Sequence, residues 1–306
     1  MAQNTQNNLV RRLLGTTLLM IATNAALTLI AQPPSYWRSP QSAIRFDRLP
    51  IHSSTNPMFD FFLGHGWHAY LACVTLYATA VWFVMSLLPK KLALIAELTI
   101  ILGLSYSGSN WVVNHWNTGT GGAMLYVAAV AILLANAVVP SLAPSDRTSL
   151  NLLCWLMALT TAIDGIFTLI GQPASYWHNT LTVYEANPIS KYSLEHGWWA
   201  YAAYILLWIA VPWLIAMRAS RLVGWAISIA FALGGLFGGS NWLFYVWRLG
   251  LQAPVIYAAI LSALIVRIVL KRDQRTTSQI HSPNDSQQQT SNDTDEVNSR
   301  GVFDCC

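Results

Sequence analysis

Two carboxyl groups, those of Asp164 and Glu97, stand inside long apolar stretches of this chain. A charged side chain within a membrane-spanning helix costs free energy, so such a residue is a candidate for handling a proton, an ion or a substrate. Asp164 lies well inside its apolar stretch. Glu97 follows Lys91 by six residues, and at that distance from the boundary its carboxyl group can reach the polar side. Asp164 is therefore the stronger candidate for chemistry.

A duplication relates the parts of the chain that would position these acids. Residues 56–139 recur 131 positions later, and both copies contain the patterns Asn-Pro, His-Gly-Trp, Ala-Tyr and Gly-Ser-Asn-Trp. Upstream, the pattern Gln-Pro-x-Ser-Tyr-Trp occupies residues 32–37 and again residues 172–177, at an offset of 140. The first copy therefore holds an insertion of nine residues between these patterns. A repeat of this length indicates one architectural unit that is used twice.

The two acids break this symmetry. When the copies are aligned, Asp164 corresponds to Asn24, and Glu97 corresponds to Ser228. The patterns that the copies share are those of a membrane interface: helix caps, aromatic residues and close-packing small residues. Residues that differ between the copies are therefore the better guide to function.

The composition indicates a membrane protein. Of the 306 residues, 54% are hydrophobic and only 10% are charged, against about 25% charged residues in a soluble domain. The apolar runs are continuous rather than alternating, which favours helices over a barrel. The sequence therefore predicts an all-α, polytopic integral membrane protein with about eight transmembrane helices. The predicted spans lie near residues 13–31, 66–88, 92–113, 123–139, 150–171, 198–217, 222–243 and 253–270.

The repeat also predicts the domain organisation and the orientation. Because each copy has an even number of spans, the copies should be parallel repeats related by an axis along the membrane normal. Lys and Arg in short loops are more numerous on the side of the termini, which predicts that both termini are cytoplasmic, in the cell or inner membrane if the source is bacterial. The predicted segments are a short cytoplasmic N-terminus (1–12), a first four-helix repeat (13–139), a cytoplasmic linker (140–149), a second four-helix repeat (150–270) and a disordered cytoplasmic tail (271–306).

The first function hypothesis is a transporter or permease. Two parallel repeats create a cavity at their interface, where a small solute or an ion would bind. An Asn amide both donates and accepts hydrogen bonds, so it suits such a site. The spans lack the paired Gly or Pro breaks of discontinuous transport helices, which counts against this hypothesis. The candidate substrate-binding or ion-binding residues are Asp164, Asn24, Asn110 and Asn241 in the outer half, with Glu185 at the entrance.

The second hypothesis is a non-catalytic scaffold, complex subunit or lipid-binding protein. The chain has 14 Trp, and its weakly charged spans suit contact with the lipid bilayer, with a partner subunit or with a second copy of the chain. The net charge of +4 reflects topology, so we expect no nucleic-acid partner.

The third hypothesis is a membrane enzyme or metal protein that uses histidines on the outer side. His65, His68, His115 and His196 are the candidate metal ligands, and a haem between His65 and His196 is conceivable. The competing interpretation makes His65 and His196 the last residues of short interface helices, 57–65 and 188–196, where a histidine suits the helix C-terminus. No H-E-x-x-H or G-x-S-x-G pattern is present. The sequence therefore identifies no catalytic residue and no cofactor.

Overall fold

A computed structural model describes residues 2–32, 34, 36–38, 57–114, 118–141, 147–185, 187–250 and 252–280 of the chain. All regular secondary structure in these residues is helical, and eight of the helices are long and apolar enough to cross a membrane. The prediction of an all-α chain with about eight such helices is confirmed. The α-helices are α1 (Ala2–Ile30), α2 (Pro57–Gly64), α3 (Trp67–Leu87), α4 (Lys90–Asn114), α5 (Gly119–Val138), α6 (Arg147–Ile170), α7 (Pro188–Glu195), α8 (Trp198–Arg218), α9 (Arg221–Asn241) and α10 (Gln252–Ile280). Short 3₁₀ helices lie at Val139–Ser141, Ala174–Trp177 and Thr180–Thr182, and a π-helical turn lies at Trp242–Val246.

Two helices extend beyond the predicted spans. Helix α1 begins at Ala2, inside the segment predicted as a short N-terminus, and α10 continues to Ile280, inside the predicted tail. The predicted boundaries mark where the apolar residues end. The helices continue past these boundaries because polar residues such as Lys, Arg and Gln are also good helix formers. The rest of the predicted tail, residues 281–306, lies outside the described residues.

Helices α2 and α7 are the short elements predicted before the second span of each copy. Asn187 caps α7, because its side-chain oxygen accepts a hydrogen bond from a first-turn backbone N–H at 3.0 Å. At the other end, the Nδ1–H of His196 donates to the Tyr192 carbonyl oxygen at 2.8 Å. Gly197 then takes a φ of +106° and turns the chain into α8, and Gly66 does the same before α3 with a φ of +107°. Only glycine adopts such angles readily, which explains the shared His-Gly-Trp pattern.

A buried tyrosine fixes each short helix to the segment that follows the first helix of its copy. The Tyr36 hydroxyl donates to the Leu63 carbonyl oxygen at 3.0 Å, and the Tyr176 hydroxyl donates to the Leu194 carbonyl oxygen at 3.1 Å. Burial raises the pKa of both phenols, so they keep their protons and remain donors well above neutral pH. Aligned residues of the two copies thus make the same contact, despite the insertion between them in the first copy.

The long helices form one bundle whose core lies where the two halves of the sequence meet. Helix α5 packs against α9 and α4 packs against α10, while α1 packs on α4 and α6 packs on α9. We call the end of the bundle at which α1 and α6 terminate the outer end, and the opposite end the inner end. In the inner half, apolar side chains such as Leu102, Leu134 and Leu233 leave a cavity of about 20 Å³ between the halves. That volume holds about one water molecule, so this part of the contact is closely packed.

Candidate functional site

Asp164 lies in α6, six residues before the helix ends at Ile170, and therefore in the outer half of the bundle. Its carboxyl group rests directly against the backbone of Gly238 in α9, where any Cβ atom would overlap the carboxyl atoms. Helices α6 and α9 approach closely along a stripe of glycines, which makes room for the carboxyl group between them. The side chain is partly buried.

Four further side chains complete an acid site around Asp164. Tyr201 and Tyr204 of α8, Tyr257 of α10 and the carboxyl group of Glu185 are all close enough to Asp164 to interact with it electrostatically. The Tyr257 hydroxyl is buried and has no hydrogen-bond partner among the described residues. We call Asp164, Glu185, Tyr201, Tyr204 and Tyr257 the acid site.

The acid site is held in place by hydrogen bonds from its surroundings. Tyr201 lies beside the Thr168 side chain, and Tyr204 lies beside the Ser190 side chain. The segment that carries Glu185 is fixed by Gln172, whose side chain donates to the carbonyl oxygen of Tyr184 at 3.0 Å and accepts from its N–H at 2.8 Å.

In the first copy the residue that aligns with Asp164 is Asn24, and both ends of its side-chain amide are hydrogen-bonded. The Tyr126 hydroxyl donates to Oδ1 of Asn24 at 2.7 Å, and Nδ2 of Asn24 donates to the Leu104 carbonyl oxygen at 2.8 Å. Gly108 gives both side chains their space, because a Cβ atom there would overlap them. Gly108 aligns with Gly239, which lies beside the Tyr257 ring, whereas the Asp164 carboxyl group rests on the preceding residue, Gly238. In the first copy every described polar atom of the pair is bonded, whereas in the second the tyrosine hydroxyl is left without a partner.

Asn241 lies elsewhere, where the two halves of the sequence meet. The Tyr106 hydroxyl donates to Oδ1 of Asn241 at 2.8 Å. Tyr106 and Phe237 are aligned residues of the two copies, and their rings pack edge to face with centroids 5.7 Å apart. Phe237 has no hydroxyl group to offer, and Nδ2 of Asn110 is buried without a partner among the described residues.

The structure therefore does not gather into one cavity the residues predicted to line it and Glu185, predicted at its entrance. Asn24 is bonded within the first copy, Asp164 and Glu185 interact within the second, and Asn241 is bonded to Tyr106 across the contact between the halves. Of these predicted residues, Asp164 and Glu185 interact with each other.

The outer histidines that the structure describes act locally. His65 and His196 each donate to a carbonyl oxygen one turn back in their short helices, and His68 packs on Trp67 with ring centroids 3.2 Å apart. Within the part of the chain that the structure describes, no group of three or more His, Cys, Asp or Glu is placed to hold a metal ion. His115 lies outside the described residues, so the metal hypothesis stays a prediction.

The tyrosines of the acid site are candidate residues that the sequence did not identify. Tyr126 and Tyr257 are aligned residues, just as Asn24 and Asp164 are, and this matched pairing of polar residues inside spans was the available signal. Tyr204 carried no such signal, because it aligns with Cys73. Only the packing of α8 against α6 brings it to Asp164.

The difference between the two tyrosines predicts unequal effects of removing their hydroxyls. Tyr126→Phe deletes the hydrogen bond to Asn24 and should lower the free energy of unfolding by about 1 kcal/mol. Tyr257→Phe removes a hydroxyl that has no described partner, so the stability should stay unchanged or rise. Unfolding of the purified variants in detergent, followed by tryptophan fluorescence, measures both effects. Equal losses in the two variants would contradict the assignment of an unbonded Tyr257 hydroxyl.

Comparison of the chain with protein-family models, with curated proteins and with solved structures found no match in any of the three. The function is therefore inferred from the geometry of the chain itself.

Proposed function

We propose that the chain inserts into a membrane as two parallel four-helix repeats, with both termini on the cytoplasmic side. Three observations support the repeat arrangement. Tyr36 and Tyr176 make equivalent hydrogen bonds. Helix α5 packs on α9, and α4 packs on α10. The fourth span of each copy therefore contacts the third span of the other copy. The aligned residues Tyr106 and Phe237 touch each other, as residues near a two-fold axis do.

We further propose that this membrane protein binds a cation or a cationic solute at the acid site, as a transporter or permease does. The observation that carries the proposal is the placement of two carboxyl groups, Asp164 and Glu185, close enough to repel each other, beside the unpartnered hydroxyl of Tyr257. Charge repulsion is strong where water is scarce. A bound cation would neutralise the repulsion, and Tyr257 would gain a partner for its oxygen.

The aromatic surroundings suit the same class of ligand. Phe167 packs edge to face with Trp247 at a centroid distance of 4.9 Å, and Tyr184 packs edge to face with Trp242 at 6.2 Å, all near the outer end of the second copy. Aromatic faces attract cations, and the attraction grows when water is excluded. Carboxyl groups and aromatic faces together favour a cation over an anion or a neutral sugar.

A transport function also requires a route past the packed inner half. The small apolar cavity there, about 20 Å³ in volume, leaves no passage for a solute between the halves in this conformation. We propose that the repeats rock relative to each other about the contact of α4 and α5 with α9 and α10, as parallel repeats in transporters do. The acid site would then be open to the outer side in the conformation described.

Cation titration of the purified protein tests this proposal. Sodium, potassium, magnesium, tetramethylammonium and guanidinium chlorides are added at equal ionic strength, and the unfolding temperature is measured. A cation that binds the folded state raises that temperature with concentration. Asp164→Asn should weaken the binding at least about tenfold, because a hydrogen bond or contact with a charged group contributes about 1.5–3 kcal/mol.

Glu195→Gln is the matched control, since Glu195 is an acid at the end of α7 on the same side of the bundle but is not part of the acid site. This variant should bind the cation as the unsubstituted protein does. The proposal fails if no cation of the panel raises the unfolding temperature. It also fails if a cation stabilises Asp164→Asn as strongly as the unsubstituted protein.

One observation favours lipid binding as a second candidate function. A groove of about 370 Å³ runs between α1 and α3 on the first copy, lined by Leu18, Ile21, Val74 and Ala78 and bordered by Trp82. The hydroxyl groups of Thr75 and Thr79 in its wall donate to carbonyl oxygens of their own helix, so neither is free to donate to a ligand. An acyl chain fits such a surface. Stabilisation by phospholipid that Asp164→Asn leaves unchanged would support this candidate.

A further inference from the structure

Glu97 is the acid of this chain that the proposed cation site does not use. It lies in α4, seven residues after the helix begins at Lys90, which places it about 10 Å from the inner end. The side chain has no exposed surface, and neither carboxyl oxygen has a hydrogen-bond partner among the described residues. The sequence had suggested that its carboxyl group reaches the polar boundary, and the structure places it in the core instead.

In the second copy the residue that aligns with Glu97 is a serine, and its hydroxyl group is hydrogen-bonded. Ser228, which aligns with Glu97, is also fully buried, but its hydroxyl donates to the Gly224 carbonyl oxygen at 2.9 Å and lies 3.4 Å from Sγ of Cys154. A buried carboxyl group without a partner costs several kcal/mol, and a carboxylate without a cation costs more. The fold accommodates a hydrogen-bonded serine at the aligned position, so packing alone does not explain the glutamate at position 97.

No described cation compensates the carboxyl group. The helices packed against α4 are α1, α3, α5 and α10. The described charged or titratable side chains of these helices and of α4 itself are Arg11, Arg12, His68, Tyr70, Cys73, Tyr77, Lys90, Lys91, Tyr106, Tyr126, Tyr257 and Arg267. None of them forms a hydrogen bond or ion pair with Glu97.

We propose that Glu97 is a proton-binding site in the inner half of the first repeat. In the closely packed conformation it holds the proton as a neutral carboxylic acid. When the helices separate, water from the inner side reaches the carboxyl group, and the proton passes from the carboxyl oxygen to a water oxygen. The reverse transfer restores the acid before the helices close again. The proton is the only species exchanged, and no other reactant is needed.

This proposal stands apart from cation binding by Asp164. The two acids lie in different repeats and at opposite ends of the bundle, so either can fail without the other. If both hold, the chain carries an outer cation site and an inner proton site, which is the arrangement needed to couple the movement of a cation to that of a proton.

Infrared difference spectroscopy tests the proton site. The spectrum of Glu97→Gln is subtracted from that of the unsubstituted protein in lipid bilayers, in H₂O and in D₂O. We expect the carbonyl band of a protonated carboxyl group, absent from the variant, that shifts to lower frequency in D₂O because the proton exchanges. Asp164→Asn serves as the control for the other buried acid and should leave this band in place.

Two results overturn the proposal. One is a carboxylate signal, in place of the carboxylic acid band, in the spectrum that Glu97→Gln lacks. The other is an acid band that does not shift in D₂O, which would mean a proton that never leaves. Glu97→Leu provides the same subtraction if Glu97→Gln does not fold, and it removes both unpartnered oxygens at once.

Discussion

Gly235→Ala is expected to destabilise the fold by about 3 kcal/mol or to prevent it from forming, whereas Gly234→Ala should be tolerated. At position 235 an added Cβ atom would lie 2.7 Å from the carbonyl carbon of Thr160 and 2.7 Å from the backbone nitrogen of Thr161. These are backbone atoms of α6, so no side-chain rotation relieves the overlap. The two helices would have to separate along their whole contact.

Gly234 is the adjacent control. It is exposed, and a Cβ atom there would meet nothing within 4 Å. Alanine at an exposed helix position is favoured over glycine by up to about 1 kcal/mol. Both variants make the same Gly-to-Ala substitution in the same helix. They differ only in the side of α9 that carries the added methyl group. Unfolding in mixed detergent, followed by tryptophan fluorescence, measures both variants. Similar stability of the two would contradict the close packing of α6 on α9.

The α6–α9 contact matters beyond stability, because it positions Asp164. Gly238 lies one turn of α9 beyond Gly235 and rests against the Asp164 carboxyl group. A change that separates the two helices would therefore also displace the acid site. Loss of cation binding in Gly235→Ala would then follow from the fold, which is why Asp164→Asn, and not a glycine variant, is the test of binding.

The parts of the fold that local chemistry determines could be predicted from the sequence. The apolar lengths predicted about eight helices, and the Asn-Pro and His-Gly-Trp patterns predicted α7 and the turn at Gly197 that follows it, because capping involves neighbours in the chain. The ends of α1 and α10 could not be predicted in this way. Helix formation continues through polar residues where the apolar span stops.

The candidate site was predictable only in part, since an alignment of repeats shows equivalence and not proximity. Asn24 and Asp164 align, and equivalent residues of two copies meet only where the copies touch, as Tyr106 and Phe237 do. The single cavity expected from the sequence therefore divides into separate places. The burial of Glu97 was missed for a related reason: distance along α4 from Lys91 gives depth, but not which side of the helix faces the core.

The reciprocal substitutions at Asn24 and Asp164 are expected to have unequal effects on stability. Asn24→Asp removes the amide that donates to the Leu104 carbonyl oxygen at 2.8 Å and leaves that oxygen without its donor. It also introduces a carboxyl group into an apolar span that offers no cation among the described contacts of Asn24. The two costs together should lower the free energy of unfolding by about 3 kcal/mol or more.

Asp164→Asn should instead keep or raise the stability. The substitution removes the repulsion from Glu185, and the introduced amide oxygen can accept a hydrogen bond from the Tyr257 hydroxyl, as Asn24 accepts one from Tyr126. A new hydrogen bond of this kind contributes about 1 kcal/mol. Thermal unfolding of the two single variants, without added cation, measures the contrast. A loss of stability in Asp164→Asn as large as that in Asn24→Asp would mean that the acid has a structural role.

The double variant Asn24→Asp, Asp164→Asn separates the acid from its surroundings. It restores the number of carboxyl groups but places the buried one in the first copy, where Tyr70 and Cys73 align with Tyr201 and Tyr204. If cation binding depends on the complete acid site, the double variant should bind no better than Asp164→Asn alone. If binding returns, one carboxyl group at this depth is sufficient, and the roles assigned to Glu185 and the second-copy tyrosines would be wrong. We therefore expect that an acid alone does not create a cation site in this duplicated fold, and that the neighbouring residues of the second copy are needed as well.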